Sequence, residues 1–181
     1  MIKADRNEKF VLEEAISVLE ATPAALRALL EDLPDNWLEF QEDPEAWNPR
    51  TVLVHYIHNE LENWMPRLHV ISSNAQDRRF APFQQMPELS VYEDEDIKQL
   101  LANFADLRQK NLSELQKLDL RLDDLTREAE HPVLGVVNLG QLLATWVVHD
   151  LNHQLQIVKS MANRYRDAVG PWRSFLPILD L

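Results

Sequence analysis

The chain contains no cysteine. That removes disulfides, thiolate nucleophiles and thiolate metal ligands at once, so any metal site must be built from His, Asp, Glu or water. The absence also fits a cytoplasmic protein, since disulfides belong to oxidising compartments. Glycine is nearly as scarce, with only Gly135, Gly140 and Gly170, and strand-like alternation is hard to find; both point to an all-helical chain. No stretch reaches the roughly 20 apolar residues that a membrane-spanning helix needs. The opening MIKADRNEKF lacks the apolar run of a signal peptide. Cations are in deficit. Eighteen Lys and Arg against 30 Asp and Glu leave a net charge of −12, which repels phosphate backbones and argues against nucleic acid as a partner. The acidic residues are scattered, mainly over 8–45 and 88–130, and read as solvated helix faces.

What is present is enough to build a core. Apolar residues make up 45% of the chain and there are five tryptophans, so residues 1–181 read as a single domain. No internal repeat, low-complexity stretch or Ser/Gly linker divides it. A first helix is expected from about Glu8 to Glu31, with Leu12, Ile16, Leu19, Leu26 and Leu30 at three- and four-residue steps and a kink at Thr22-Pro23. A second opens where Asn48 can cap free amides and Pro49 takes the first position, where a missing N–H costs nothing. It continues to about Ile71 with a kink at Pro66. The connection 72–90, carrying Pro82 and Pro87, exceeds ordinary loop lengths and is expected to cross the bundle or line a pocket mouth. A third helix is expected from Ser90, with Glu93 completing a capping box and Ile97, Leu101, Phe104, Leu107, Leu115 and Leu118 as its stripe. The fourth starts at Asn138 with Gln141 as reciprocal partner. Being apolar almost all round from Leu142 to Val158, it is expected to be the most buried. Four long amphipathic helices joined by polar loops imply a four-helix bundle. The tail GPWRSFLPILDL is expected to pack its apolar residues onto the bundle or onto a partner.

The chemistry concentrates on the fourth helix, at His149-Asp-Leu-Asn-His153. A four-residue step puts both imidazoles on one face, one turn apart, close enough to share an ion. Thr145 and Gln156 continue that polar face. A buried imidazole needs partners for both ring nitrogens, and a metal with outer acceptors provides them; core histidines bonded to backbone or carboxylates are the plainer alternative. The second helix offers a third ligand, either His55 or His58, and spacing does not choose between them. Two other metal motifs fit poorly. A metalloprotease needs His-Glu-x-x-His, with the Glu as base, where this chain has Asp150. A di-iron carboxylate bundle needs paired Glu-x-x-His motifs, and the one instance, Glu128-Ala-Glu-His131, precedes a proline at an expected helix end.

The residues as a whole resemble the DinB-like (YfiT-like) metal-binding bundles. Trp47-Asn-Pro-Arg-Thr-Val-Leu-Val-His55, running on to Trp64-Met-Pro-Arg67, is similar to that family's second helix, where a tryptophan opens the helix and a histidine follows two turns later. His131-Pro-Val-Leu-Gly135 and then Leu139 to Ile157, containing His149 and His153, are similar to its fourth. The likeness spans roughly residues 10–172. It implies an up-down-down-up bundle in which His55, His149 and His153 bind one divalent ion, Zn or Ni first. It also implies a frequent homodimer and, in some relatives, thiol S-transferase or hydrolase activity. Asn138 replaces the Thr common in the family, an exchange of one capping residue for another.

Three histidines leave a coordination position open, the pattern of catalytic rather than structural sites. The expectation is therefore a metal-dependent enzyme acting on a small molecule, of thiol S-transferase or hydrolase type, with any thiol supplied by a cosubstrate. The alternative is a non-catalytic metal-binding stress or interaction protein. Around the site, Asn59 and Glu62 are candidates to orient water or His55, and Thr145 and Gln156 to orient the other pair. For Asn59, Thr145 and Gln156 an ordinary polar role is the plainer reading. Trp64 and Trp146 read as pocket walls or core. Arg67 reads equally as an anion-binding group or a surface salt-bridge partner.

Overall fold

Four long helical stretches and a short hairpin make up the computed structural model, which describes residues 10–180. The helices are α1 (Leu12–Leu30), α2 (Asp35–Leu38), α3 (Pro49–Glu62), α4 (Trp64–Ser72), α5 (Ile97–Lys117) and α6 (Leu139–Asn163). Strands β1 (Glu128–His131) and β2 (Gly135–Asn138) pair antiparallel between α5 and α6. The expected start of the first helix at Glu8 lies outside the described residues.

The contacts give the direction of each helix. Tyr56 bonds Asp150 and Trp146 bonds Glu60, so α3 and α6 run antiparallel. Tyr56 meets Phe104 while Glu60 meets Arg108, so α3 and α5 run parallel. Leu19 pairs with Arg108 and Asp32 with Lys98, so α1 and α5 are antiparallel. The bundle is therefore up-down-down-up. Two parallel helices that follow one another in sequence need a long return, and the connection 73–96 provides it.

Several element boundaries differ from the sequence expectation, each for a local reason. Pro23 sits inside a continuous α1 instead of restarting it. A proline N cannot bond the carbonyl four residues back, and that carbonyl, of Leu19, accepts from Arg108 Nη1 at 2.9 Å. At Pro66 the same deficit does break the helix, between Glu62 and Trp64. The third helix starts at Ile97, not Ser90. Asp96 and Gln99 form its capping box, while Arg50 donates to the carbonyls of Tyr92 and Glu95 and leaves Leu89–Tyr92 as a 3-10 turn. The chain is not wholly helical, because Glu128–Asn138 forms the hairpin. Gly135, at φ +75°, closes its three-residue loop in a conformation that L side chains avoid. Glu128 and His131 thus lie on a strand, not at a helix end. The start of α6 is as expected, with Asn138 and Gln141 forming a reciprocal cap.

The most buried helix is α3, not α6. Pro49, Val52 through Ile57, Asn59 and Glu60 are all buried, whereas Val148, Leu151 and Leu155 of α6 face outward. Of the tail, Leu179 is buried while Trp172 and Phe175 are exposed.

The apolar core falls into two clusters. One is built around Leu26, Leu53, Ile57, Leu100, Phe104 and Ile157, the other around Leu19, Trp64, Leu68, Leu112, Leu143 and Trp146. On α1, α3, α5 and α6 the buried residues between those clusters are polar: Thr22, Asn59 and Glu60, Arg108 and Asn111, and Asp150. This layer holds Arg108, 1% exposed, with Glu60 and Asp150. Arg108 spends all five N–H groups there: Nε and Nη2 on Glu60 Oε1, Nη1 on Asp150 Oδ2 and the Leu19 carbonyl, and Nη2 again on Asp150 Oδ1. Asn111 and Trp146 donate to the same Glu60 carboxylate. A buried charge is tolerable only when paired and bonded in this way.

Candidate metal centre

At the level of that polar layer, the ring nitrogens of His55, His149 and His153 come together, one from each ring, all within 4.8 Å of one another. The sequence places them there through two helices. The i,i+4 step of α6 stacks His149 over His153 with ring centroids 4.3 Å apart. The antiparallel crossing of α3 brings His55 alongside, its Nε2 3.1 Å from His149 Nε2. His58, one turn on, points elsewhere: its Nε2 meets the Gln84 carbonyl at 2.8 Å and its ring stacks on Phe83.

The outer nitrogens decide what the inner ones can do. His55 Nδ1 lies 2.7 Å from the Gln85 carbonyl, which can only accept, so the proton is assigned to Nδ1 and Nε2 keeps its lone pair. His153 Nδ1 lies 2.7 Å from Gln156 Oε1, again an acceptor, leaving Nε2 free. His149 Nδ1 is buried without a hydrogen bond, 3.9 Å from Asp150 Oδ1. Asn59 fixes the floor. Its amide lies 3.0 Å from His55 Nε2 and donates to the His55 carbonyl, while its oxygen accepts from Asn63.

Burial, and then the neighbouring His153, lower the His55 pKa to about 3. His153 is lowered for the same reasons, with His149 as its neighbour. Both are neutral at pH 7, the form that binds metal. Tetrahedral zinc–nitrogen bonds of about 2.0–2.1 Å put ligand atoms roughly 3.3 Å apart. The 3.1 Å between His55 and His149 fits such an edge, and two lone pairs at that separation repel unless a cation or proton lies between them. The donor set suits a divalent ion of the zinc, nickel or copper group.

The imidazoles form one wall of a cavity of about 370 Å³. Trp47 covers His55 and His153 from one side, at 4.9 and 6.1 Å between centroids. Trp64 walls the other side and stacks on Trp146, which is itself core. The crossing connection contributes Phe80, Phe83 and Gln85, and the hairpin contributes His131, so 73–96 both crosses the bundle and lines the pocket.

Two of the plainer sequence readings fail here, since Asn59 and Gln156 both contact imidazoles. Thr145 lines the cavity but bonds back to the Gln141 carbonyl, and Glu62 is exposed outside it. The Arg108, Glu60 and Asn111 network escaped sequence reasoning. Its signal is the spacing 104, 108, 111, 115, which sets Arg108 and Asn111 on the buried stripe of α5; the expected stripe residue Leu107 packs against the core, while Leu118 lies past the helix end and is exposed.

The sequence profile of the DinB superfamily matches residues 18–157. No curated protein sequence matches significantly. Among solved structures the chain is similar to YfiT from Bacillus subtilis, described as a probable metal-dependent hydrolase with an unusual four-helix bundle topology. The TM-score is 0.70 at 19% identity, over 91% of this chain and 93% of that one. At that identity the likeness speaks for the fold.

Proposed function

The chain belongs to the DinB superfamily, and on that footing we propose that it is a metal-dependent enzyme in which His55, His149 and His153 hold one divalent ion, Zn or Ni. The observation that carries this reading is the orientation of the three rings. Their inner nitrogens converge within 4.8 Å at a cavity wall, and two of the outer nitrogens are engaged by acceptors. A purely structural role for these histidines gives no reason for three ring nitrogens, two of them with lone pairs fixed by outer acceptors, to face one another beside an open cavity.

An ion held there supplies Lewis acidity, enough to make water or a small-molecule thiol a good nucleophile near neutral pH. The chain does the rest. Gln85 and Gln156 fix which nitrogen of His55 and His153 is free. Asn59 offers an N–H donor beside the three rings. Trp47 covers the site on one side, and the apolar lining admits a small substrate while limiting water. With no cysteine in the chain, a transferred thiol comes from a cosubstrate. The reaction class is thiol S-transfer or hydrolysis on a small molecule.

The test uses protein purified without a His-tag and loaded with zinc or nickel. It is assayed for thiol conjugation to a small electrophile and for hydrolysis of small amides and esters, beside the three His→Ala variants. Turnover that needs both the ion and the three histidines supports the reading. Tight stoichiometric metal with no turnover in either assay favours a non-catalytic metal-binding protein, and absence of metal binding overturns the site.

A further inference from the structure

In a chain with 30 acidic residues, none of those described lines the cavity beside the histidines. Among the described residues its one permanent charge is Arg67. This guanidinium is half-buried, packed between the rings of Phe80 and Phe83 at 5.4 and 5.7 Å. It makes no salt bridge or side-chain hydrogen bond with any described residue. Arg50 and Arg108 are bonded to carbonyls or carboxylates; Arg164, over Trp37 and Phe40, also has an unpartnered Nε but lies outside this cavity. Arg67 pays the desolvation cost of burial without a counter-ion.

Its surroundings repeat the pattern. His131 also lines the cavity. Its Nδ1 accepts from the backbone N–H groups of Val133 and Leu134, which leaves Nε2 as the protonated nitrogen. Trp64 is buried and its indole N–H has no partner. Beside the imidazoles and the unpartnered Asn63 Oδ1, the Arg67 end of the cavity therefore offers a fixed cation and the His131 donor between apolar walls.

We propose that Arg67 binds the carboxylate of a small substrate whose apolar body lies along Phe83 and Leu142 and whose reacting end reaches the histidines. A single guanidinium matches a single negative charge, and its planar fork takes a carboxylate with two parallel hydrogen bonds. A dianionic phosphate would call for a second permanent cation, and among the described residues none lines the cavity. The Phe80 and Phe83 rings hold the fork in place before the ligand arrives, so little side-chain entropy is lost on binding. The inference deepens the proposed function, on which it rests for the reacting end of the substrate.

The probes are 3-phenylpropionate and its uncharged amide, with affinity read from tryptophan fluorescence in zinc-loaded and in chelator-treated protein. Wild type is expected to bind the acid at least about tenfold more tightly than the amide, the factor that one charge-assisted hydrogen bond provides. The preference should hold in both metal states, vanish in Arg67→Gln, and survive in reduced form in Arg67→Lys. Zinc stoichiometry should stay unchanged in both variants, which also reports that they fold. Equal or absent binding of acid and amide by wild type overturns the proposal, as does a preference that Arg67→Gln retains. A preference that disappears on chelation moves the acid onto the metal and overturns the role of Arg67. Failure of the metal reading registers separately, as zinc below stoichiometry in wild type.

Discussion

Zinc content can separate the imidazoles one by one. Two remaining histidines rarely hold an ion tightly, so His55→Ala, His149→Ala and His153→Ala should each lose it, while His58→Ala should keep it because His58 is engaged by the Gln84 carbonyl. Elemental analysis decides, and loss in His58→Ala with retention in His55→Ala reverses the assignment. The pH dependence follows from the same rings. Burial first, then neighbouring imidazoles, put the folded-state pKa of His55 at about 3 and lower that of His153, below the value near 6.5 in the unfolded chain. Between those limits the unfolded state takes up protons that the folded state refuses, so the metal-free bundle should lose stability as pH falls through 6.5 toward 3. Metal adds stability only while the imidazoles are neutral. Because His55 stays neutral in the fold down to about 3, thermal melts with and without a chelator should show a difference that collapses as pH falls toward 3, and a gap unchanged below that pH would exclude histidine ligation as its source. At this scale the pair His149 and His153 was legible from its four-residue step. The choice of His55 over His58 was not legible from spacing, because it depends on which ring the distant connection 73–96 engages.

Helix starts were readable wherever a single cap stood alone, as at Asn48 with Pro49 after it and at Asn138 with its reciprocal partner Gln141. They were misread where two candidates competed. Ser90 with Glu93 and Asp96 with Gln99 both fit a capping box, and Arg50, fixed on another helix, decides between them by taking the Tyr92 and Glu95 carbonyls. The hairpin 128–138 was obscured because its strands are four residues each, too short for alternation to register. Removing the Asn138 cap should cost about 1 kcal/mol, read by chemical denaturation of Asn138→Ala. The polar layer predicts a larger effect. Replacing Arg108 with Met leaves Glu60 and Asp150 buried without their cation, and loss of one partner from a buried ion pair costs roughly 3–5 kcal/mol. A denaturation midpoint within experimental error of wild type would mean that the layer contributes no net stability.

On the scale of the whole molecule, no helix of the described residues is long and apolar enough to cross a membrane, yet the surface is not uniformly polar. Val148, Leu151 and Leu155 form an exposed stripe on α6, flanked by Val11 and Val18 beside the parallel α1. That stripe explains why α6 reads as apolar all round without being the most buried helix, and the homodimer expected from the family resemblance would need an unpartnered apolar face of this kind. Leu151→Asp should then convert a dimer to a monomer in light scattering with the zinc content unchanged; a monomeric wild type rejects the dimer. The bundle topology has a further consequence, for where the pocket tolerates change. Because α3 and α5 run parallel, a long return strap is obligatory, and it brings Phe80, Phe83 and Gln85 to the cavity. The imidazoles stand on helices whose positions the core fixes, and Phe80 itself belongs to that core, whereas the half-buried Phe83 and the exposed Gln85 of the strap can be exchanged at less cost to it. Substitutions at Phe83 and Gln85 should thus reshape the cavity while the three imidazoles stay where the helices put them.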